Sequence, residues 1–260
     1  MTTWVLDLDG VVWLGDLGIG GAPEAIAALR EAGNVVAFCT NNSSGLVAHY
    51  EEKLARLGIS AEGAVLTSAM AAATLLHPGE RVLVCAGDGA REAVLGVGAV
   101  AVEVDVLDGA STSGGAVDTV LVGFHTTFDY AAMNRAVRAV LGGARLVATN
   151  DDPIYPAADG PAPGCGAILA SIERATGRRA LIAGKPYDAM ARLIRDRLGP
   201  SGVFVGDSLA TDGAMADVLE WPFGLVLSGN TTEAMVPPDS DRAWVASNLR
   251  ELGERHLART

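Results

Sequence analysis

The feature that most constrains this sequence is a regular alternation of short apolar runs with stretches of helical periodicity. A run that is apolar throughout is typical of a strand covered on both faces by helices. Amphipathic stretches separate the runs, and several end at a glycine, which indicates a helix terminus. The alternation predicts an α/β fold with a Rossmann-like, doubly wound parallel sheet. The predicted strands are Trp4–Leu6, Val35–Cys39, Val82–Cys85, Val120–Val122, Leu146–Ala148, Leu181–Ala183, Val203–Val205 and Leu225–Leu227.

Composition and charge exclude several classes of function. The chain has 260 residues, of which 50% are hydrophobic, and its formal net charge is −12. An acidic chain without blocks of Lys or Arg is poorly suited to bind nucleic acid or an anionic membrane surface. Its start lacks the basic segment of a signal peptide, and its apolar stretches are too short to cross a bilayer. The three scattered cysteines suit a reducing compartment, so we expect a cytoplasmic protein.

Polar residues follow four of the apolar runs, at the points where the predicted strands end. The carboxyl ends of parallel strands meet at one edge of a sheet, and open α/β sheets bind their ligands at that edge. We therefore expect the polar residues to lie close together. They are Asp7 and Asp9, Thr40 and Asn41, Lys185, and Asp207 with Asp212.

The chemistry of this group of residues is that of a phosphoryl site with a divalent cation. Carboxylate oxygens suit Mg²⁺, and a lysine with hydroxyl, amide and backbone N–H donors suits a phosphoryl group. With a metal ion on one oxygen of Asp7, the other oxygen is free to attack phosphorus. Asp9 is then placed to protonate the leaving oxygen and later to take a proton from water. The alternative is that these residues have structural roles only. The acids would then cap turns, and Lys185 would be a solvated surface residue.

The segments DLDGV, TNNS, GKP and GDSLATD occur in this order and resemble the four motifs of the haloacid dehalogenase superfamily. The stretches from residue 9 to 33 and from residue 120 to 186 resemble its p-nitrophenylphosphatase-like, NagD-like branch. That branch has a large α/β cap inserted between the second and third motifs. The resemblance implies a core domain at residues 1–76 and 180–260 and an inserted cap domain at residues 77–179.

The resemblance also implies a Mg²⁺-dependent phosphatase of small phosphomonoesters that works through an aspartyl-phosphate. It assigns a role to each residue at the predicted sheet edge. By resemblance, Asp7 is the nucleophile and a metal ligand, and Asp9 is the general acid/base whose backbone carbonyl also binds the metal. Thr40 and Asn41 bind the phosphoryl group, and Lys185 neutralises charge. Asp207 binds the metal directly, whereas Asp212 binds it through water or supports the residues that bind it directly.

The predicted cap supplies candidate substrate contacts at Asn150, Asp152 and His125. Residues 150–166 contain no Lys or Arg, so a second anionic group on the substrate would find no charged clamp there. This favours a neutral or hydroxylated leaving group, as in a polyol or sugar phosphate. The Pro- and Gly-rich stretch Asn150–Gly164 is expected to be an irregular loop, and Asp105–Asp118 a loop or linker. Relatives with this cap often dimerise through it, so a homodimer is expected by resemblance.

Three positions depart from the family pattern, and three other functions stay open. Ser208 stands where the family usually has Arg, Gly213 where Ile is common, and His125 where Asp is frequent. A receiver-like signalling domain shares the acids but would be about half this length. A dehalogenase normally lacks the second acid, which is Asp9 here. A catalytically idle or phospho-accepting regulatory protein of the same fold is the remaining alternative.

Overall fold

The computed structural model describes residues 1–102, 116–157, 160–238, 241 and 244–258. The chain forms two compact units. The first contains Met1–Thr40, Ala48–Leu66 and Lys185–Thr260, and the second contains Asn41–Val47 and Thr67–Gly184. Each unit has a parallel sheet with helices, so the α/β prediction is confirmed. The cap range 77–179 derived from the resemblance stays a prediction.

The sheet of the first unit has the order β15-β14-β13-β1-β4-β5. β1 pairs in parallel with both β13 and β4, and Leu6 lies opposite Val205 on one side and Phe38 on the other. Strand β1 is fully buried from Trp4 to Leu6, as expected for a central strand. The bounds are β1 (Thr3–Leu6), β4 (Val35–Thr40), β5 (Val65–Thr67), β13 (Val203–Gly206), β14 (Phe223–Val226) and β15 (Val245–Ala246).

Helices and two short turns complete the first unit. A small antiparallel hairpin follows β1, and a five-residue π-helical turn, Leu209–Gly213, follows β13. The helix that follows Lys185 begins at Asp188, with Tyr187 as its N-cap residue. The bounds are β2 (Trp13–Leu14), β3 (Leu17–Gly18), α1 (Ala22–Glu31), α2 (Val47–Arg56, its first residue in the second unit), α7 (Asp188–Leu198), α8 (Ala214–Leu219) and α9 (Leu249–Leu257), with a 3-10 turn at Glu233–Met235.

The second unit has its own parallel sheet, of order β12-β9-β8-β6-β7. Apolar side chains of β8 and β9 pack with Ile168, Leu169 and Ile172 of the helix α6 in one buried core. The bounds are β6 (Arg81–Cys85), β7 (Val100–Val102), β8 (Thr119–Val122), β9 (Arg145–Ala148), β12 (Leu181–Ile182), α3 (Ser68–Ala73), α4 (Asp88–Gly96), α5 (Tyr130–Leu141) and α6 (Cys165–Thr176).

The stretch Asn150–Gly164 is not an irregular loop, so that prediction is wrong. It contains an antiparallel pair of strands, β10 (Ile154–Ala157) and β11 (Gly160–Pro163). Pro156 lies opposite Pro161, and Ile154 lies opposite Pro163. These are alternate pairs along the ladder, so the prolines fall where a ladder needs no N–H donor. The predicted linker Asp105–Asp118 lies mostly outside the described residues.

Candidate active site

The first unit brings charged and polar residues together at the carboxyl edge of its sheet. Asp7 follows β1, Thr40 ends β4, and Asp207 follows β13. The backbone N–H of Asp7 donates to Val205 O at 2.8 Å, which holds the ends of the two strands together. Strand order alone therefore brings together residues far apart in sequence.

Lys185 is the cation of this group. Its Nζ donates to Asp7 Oδ1 at 2.7 Å, to Asp212 Oδ1 at 2.7 Å and to Cys39 O at 3.3 Å. The residue is only 2% exposed. A buried ammonium is tolerable here because it donates hydrogen bonds to two carboxylate oxygens.

Three buried acids surround the space beside this ammonium. One carboxylate oxygen from each of Asp7, Asp207 and Asp212 lies within 4.8 Å of the others. Their exposures are 7%, 2% and 1% respectively. Carboxylates so close together repel one another unless a cation lies between them.

Asp207 is held by the backbone around it. Its Oδ2 accepts from Asn230 N at 2.5 Å, and its carbonyl oxygen accepts from Thr231 N at 3.0 Å. A Cβ atom at Gly10 or at Gly229 would collide with the Asp207 carboxylate. Only glycine at these two positions therefore allows the chain to approach this acid so closely.

Asp212 is held in a similar way by the turn that carries it. Its Oδ2 accepts from Ser208 N at 3.1 Å, and its Oδ1 is the acceptor for Lys185. A Cβ atom at Gly206 would collide with the Asp212 side chain. The π-helical turn Leu209–Gly213 thus directs this carboxylate back onto the end of β13.

The pKa values follow from this crowding. Burial raises the pKa of Asp7; Lys185 opposes the rise, and the charges of Asp212 and Asp207 add to it. Burial, with the charge of Asp212, raises the pKa of Asp207 to about 6. Burial alone would lower the pKa of Lys185, but the carboxylates of Asp212 and Asp7 outweigh it and raise that pKa. Lys185 is therefore charged, and its single ammonium lies beside three carboxyl groups.

Asp9 lies apart from the three clustered acids. Its Oδ1 accepts a hydrogen bond from Trp13 Nε1 at 3.0 Å. Burial raises its pKa, and the Trp13 hydrogen bond and the charge of Lys53 oppose that rise. A carboxyl group of this kind, partly buried and hydrogen-bonded on one oxygen, suits proton transfer better than direct metal ligation.

The candidates Asn41, Asn150, Asp152 and His125 all lie in the second unit. Asn150 is 3% exposed, and its Nδ2 donates to Asn41 O at 2.7 Å. Asn41 Nδ2 in turn donates to Asp152 Oδ2 at 3.0 Å. The structure brings these three together, whereas His125 has Thr127 and Cys85 as its hydrogen-bond neighbours. Burial lowers the pKa of His125.

Sequence reasoning missed three residues of the site. Trp13, Ser208 and Asn230 each donate an N–H to a candidate carboxylate. A signal existed for Asn230, because the segment SGN directly follows the predicted strand Leu225–Leu227. The same signal existed for Ser208, which lies in the segment GDS directly after the predicted strand Val203–Val205. For Trp13 no such signal existed, because its sequence position does not show where the N–H points.

The donor set of the first unit fits Mg²⁺. Asp7, Asp207 and Asp212 supply hard oxygen ligands, and these three carboxyl groups face the single ammonium of Lys185. A divalent cation would supply the missing positive charge. The described residues therefore form a candidate centre for metal-assisted phosphoryl transfer at the edge of an α/β sheet.

Proteins that are similar to this chain define its family. Residues 4–100 match a family model described as haloacid dehalogenase-like hydrolase, and residues 182–252 match a HAD-hydrolase-like model. Glycerol-3-phosphate phosphatase from Gallus gallus is 35% identical over 88% of this chain and 80% of its own. Human chronophin is 35% identical over 80% of this chain and 75% of its own.

Solved structures agree. The p-nitrophenyl phosphatase from Archaeoglobus fulgidus superposes with a TM-score of 0.86 at 28% identity, covering 97% of this chain and 98% of that chain. The glycerol phosphate phosphatase Rv1692 from Mycobacterium tuberculosis in complex with magnesium gives 0.84 at 30% identity, covering 96% and 76%. The chain therefore belongs to the haloacid dehalogenase-like hydrolases. Its relatives fall in the branch of the p-nitrophenylphosphatases and NagD, as the motifs predicted.

Proposed function

We propose that this chain hydrolyses small phosphomonoesters by transferring the phosphoryl group first to Asp7 and then to water. The relatives establish the enzyme class: it is a phosphoric monoester hydrolase with Mg²⁺ as its cofactor. The observation that carries the proposal is the contact of Lys185 Nζ with Asp7 Oδ1 and Asp212 Oδ1, both at 2.7 Å. It places a fixed positive charge beside a nucleophilic carboxylate, where phosphoryl charge would gather.

In the first step an oxygen of Asp7 attacks phosphorus, and the bond between phosphorus and the ester oxygen breaks. Asp9 gives its proton to the leaving oxygen, so the alcohol departs neutral. Lys185 offsets the charge of Asp7 and of the phosphoryl group, and Thr40 is the proposed donor to a phosphoryl oxygen. When bound by Asp7, Asp207 and Asp212, Mg²⁺ supplies further charge neutralisation and orients the phosphoryl group.

In the second step a water molecule attacks the same phosphorus. Asp9, now ionised, takes a proton from that water, and the bond between phosphorus and Asp7 breaks. Inorganic phosphate leaves, and both acids return to their starting states. This return separates a phosphatase from a phospho-accepting regulatory protein, in which the phosphoryl group would stay on Asp7.

For the substrate, we propose a polyol or sugar phosphate. The segment Asn150–Gly166 contains no Lys or Arg, so it offers amide and carboxylate groups rather than a clamp for a second anion. The similarity to glycerol-3-phosphate phosphatases supports a hydroxylated leaving group. Asn41 is proposed to contact the phosphoryl group, and Asn150, Asp152 and His125 the leaving group.

The activity is tested by phosphate release from p-nitrophenyl phosphate with Mg²⁺, with EDTA, and with the variant Asp7→Asn. We expect metal-dependent turnover that the chelator abolishes and that Asp7→Asn lowers on the order of 10⁴-fold or more. Asp188→Asn makes the same change at an exposed carboxylate and should keep full activity. Turnover by Asp7→Asn at the unchanged rate would refute the proposed nucleophile.

A second measurement separates turnover from storage of phosphate. In a rapid-quench experiment with labelled substrate, the label should appear on protein within one turnover and be released by hydroxylamine. Stoichiometric label that persists without phosphate release would favour the regulatory alternative. For the substrate class, kcat/KM should be higher for glycerol phosphate than for phosphoglycolate, and the reverse order would contradict our choice.

We also propose a cytoplasmic location and a homodimer formed through the predicted cap. Cys39, Cys85 and Cys165 are all buried and unpaired, which suits a reducing compartment. Among the described residues, the helices are all too short or too polar to cross a membrane. Light scattering tests the dimer. It compares the purified chain with a variant that carries surface substitutions in the predicted cap, residues 77–179.

A further inference from the structure

The hydrogen bond between Trp13 and Asp9 lies outside the roles assigned so far. We propose that the Trp13 indole is a positioning group for Asp9, which it fixes so that one carboxyl oxygen alone exchanges the catalytic proton. The inference rests on the proposed function, in which Asp9 is the acid and base. Trp13 Nε1 donates to Asp9 Oδ1 at 3.0 Å, and the other carboxyl oxygen accepts nothing from the described residues.

A donor on one oxygen decides where the proton of the acid lies. An N–H that occupies Oδ1 cannot share that oxygen with a carboxylic hydrogen on the same lone pair. When Asp9 is protonated, its hydrogen is therefore favoured on the other oxygen, which is open to a leaving group. Without Trp13, the proton could lie on either oxygen and the carboxyl group could rotate, so fewer encounters would be productive.

The backbone fixes the indole before any substrate arrives. Gly10 N donates to Trp13 O at 2.7 Å, and Trp13 N donates to Leu8 O at 3.2 Å, so a tight turn ties Trp13 to the segment that carries Asp9. Trp13 is only 2% exposed. The donor is thus held by packing and backbone hydrogen bonds together, as positioning requires.

Lys53 lies over one face of the same ring. Its Nζ lies 4.2 Å from the Trp13 ring centroid and donates to Gly15 O at 2.6 Å. The ammonium attracts the π electrons of the indole and makes its N–H a stronger donor. The contact with Gly15 also holds the hairpin of β2 and β3 against α2.

A buried indole N–H usually has an acceptor, and a backbone carbonyl would serve as one. Here the acceptor is a carboxylate that the mechanism requires to gain and lose a proton. A packing role and a positioning role therefore differ in one measurable respect. Packing affects all substrates alike, whereas positioning affects most those whose leaving oxygen must be protonated.

The test compares kcat/KM of Trp13→Phe on two esters with very different leaving groups. p-Nitrophenolate leaves without protonation, whereas a glycerol alkoxide does not. We expect kcat/KM for glycerol phosphate to fall about 10- to 100-fold and that for p-nitrophenyl phosphate to fall less than about threefold. Asp9→Asn removes the acid altogether. The difference between its kcat/KM losses on the two esters is therefore the largest that loss of the acid can cause.

Four further variants keep the result interpretable. Replacing Trp13 with 3-benzothienylalanine keeps the ring shape and removes only the N–H, so it should reproduce the selective loss. Lys53→Gln should lower kcat/KM for the two esters in the same pattern as Trp13→Phe, but by a smaller factor. Lys53→Arg should keep the values of the unaltered protein, since Arg also binds aromatic faces. Leu17→Ala, at an exposed position of the same hairpin, should change neither ester.

Equal losses on the two esters, or none in the benzothienyl variant, would overturn the positioning role. The failure of the proposed function looks different. In that case the unaltered protein releases no phosphate, or Asp9→Asn shows no difference between the two esters.

Discussion

The carboxyl edges of the two parallel sheets differ in the kind of side chain they bury. The edge in the first unit buries Asp7, Lys185, Asp207 and Asp212. The edge in the second unit buries uncharged groups. Ser43 Oγ donates to Thr149 Oγ1 at 2.9 Å, and Asn150 Nδ2 donates to Asn41 O at 2.7 Å.

This difference shows which edge depends on an added ion. Hydroxyl and amide groups at the second edge hydrogen-bond to one another, so these contacts need no added cation. At the first edge, three clustered carboxyl groups face one ammonium, and burial together with the charge of Asp212 raises the pKa of Asp207 to about 6. The same sheet architecture thus supports a self-sufficient polar network in one unit and a cation-dependent one in the other.

The strongest way to break the comparison is Lys185→Met. It leaves Asp7 and Asp212 buried without their shared cation, so we expect a loss of about 3–5 kcal/mol in the free energy of unfolding. Activity should fall by about 10³-fold or more, since the phosphoryl charge also loses its partner. Thermal denaturation should show partial recovery with added Mg²⁺. Arg179→Met removes a charge that is 91% exposed and should change little.

The next effect concerns the metal itself. Asp207→Asn should raise the Mg²⁺ concentration for half-maximal activity by about 100-fold, because a carboxylate ligand becomes a neutral amide. Asp152→Asn makes the matched change in the second unit. It should leave the Mg²⁺ dependence as it is, whatever its effect on the KM for substrate. Similar shifts in both variants would place the metal elsewhere.

The pH dependence of the metal-free protein sharpens the same contrast. Because the pKa of Asp207 is raised to about 6, the folded chain holds this proton more tightly than the unfolded chain. The stabilisation is present at pH values below about 4 and is lost as the pH rises through 6. We expect the Tm in EDTA to fall between pH 5 and pH 7, and Asp207→Asn to reduce that fall. A Tm that rises over this interval in EDTA would contradict the direction.

The smallest effect belongs to the uncharged edge. Thr149→Val keeps the shape and leaves Ser43 without its acceptor, which should cost about 1–2 kcal/mol of unfolding free energy. Adding Ser43→Ala to that variant should cost less than Ser43→Ala costs alone, and the double-mutant cycle gives the coupling. Neither variant should respond to Mg²⁺. Strict additivity would mean that the 2.9 Å contact contributes nothing.

The sequence predicted much of this arrangement because parallel strands leave little choice. The apolar runs Trp4–Leu6 and Val203–Val205 each became strands, and the acids after them lie at one edge. What it did not predict depends on local geometry. The sequence did not predict the pair of strands in Asn150–Gly164, because prolines are unusual in strands. Here they fit the alternate pairs of the ladder.

The groups that hold the acids were harder still to predict. The approach of Trp13 to Asp9 depends on a tight turn and a side-chain direction, and that of Asn230 to Asp207 depends on the path of a loop. Neither leaves a periodic trace in the sequence. The four motifs predicted the family and its metal because they carry the reacting groups, whereas the supporting groups are scattered between them.

The central place of β1, between β4 and β13, has a consequence for the making of the protein. Translation at about 5–20 residues per second must add about 200 residues after β1 before β13 exists, an interval on the order of 10 to 40 seconds. Throughout that time the edge of β1 beside Trp4, Val5 and Leu6 lacks its neighbour on the ribosome. A nascent chain stalled before Val203 should therefore recruit chaperones or aggregate, and release past Gly206 should end both.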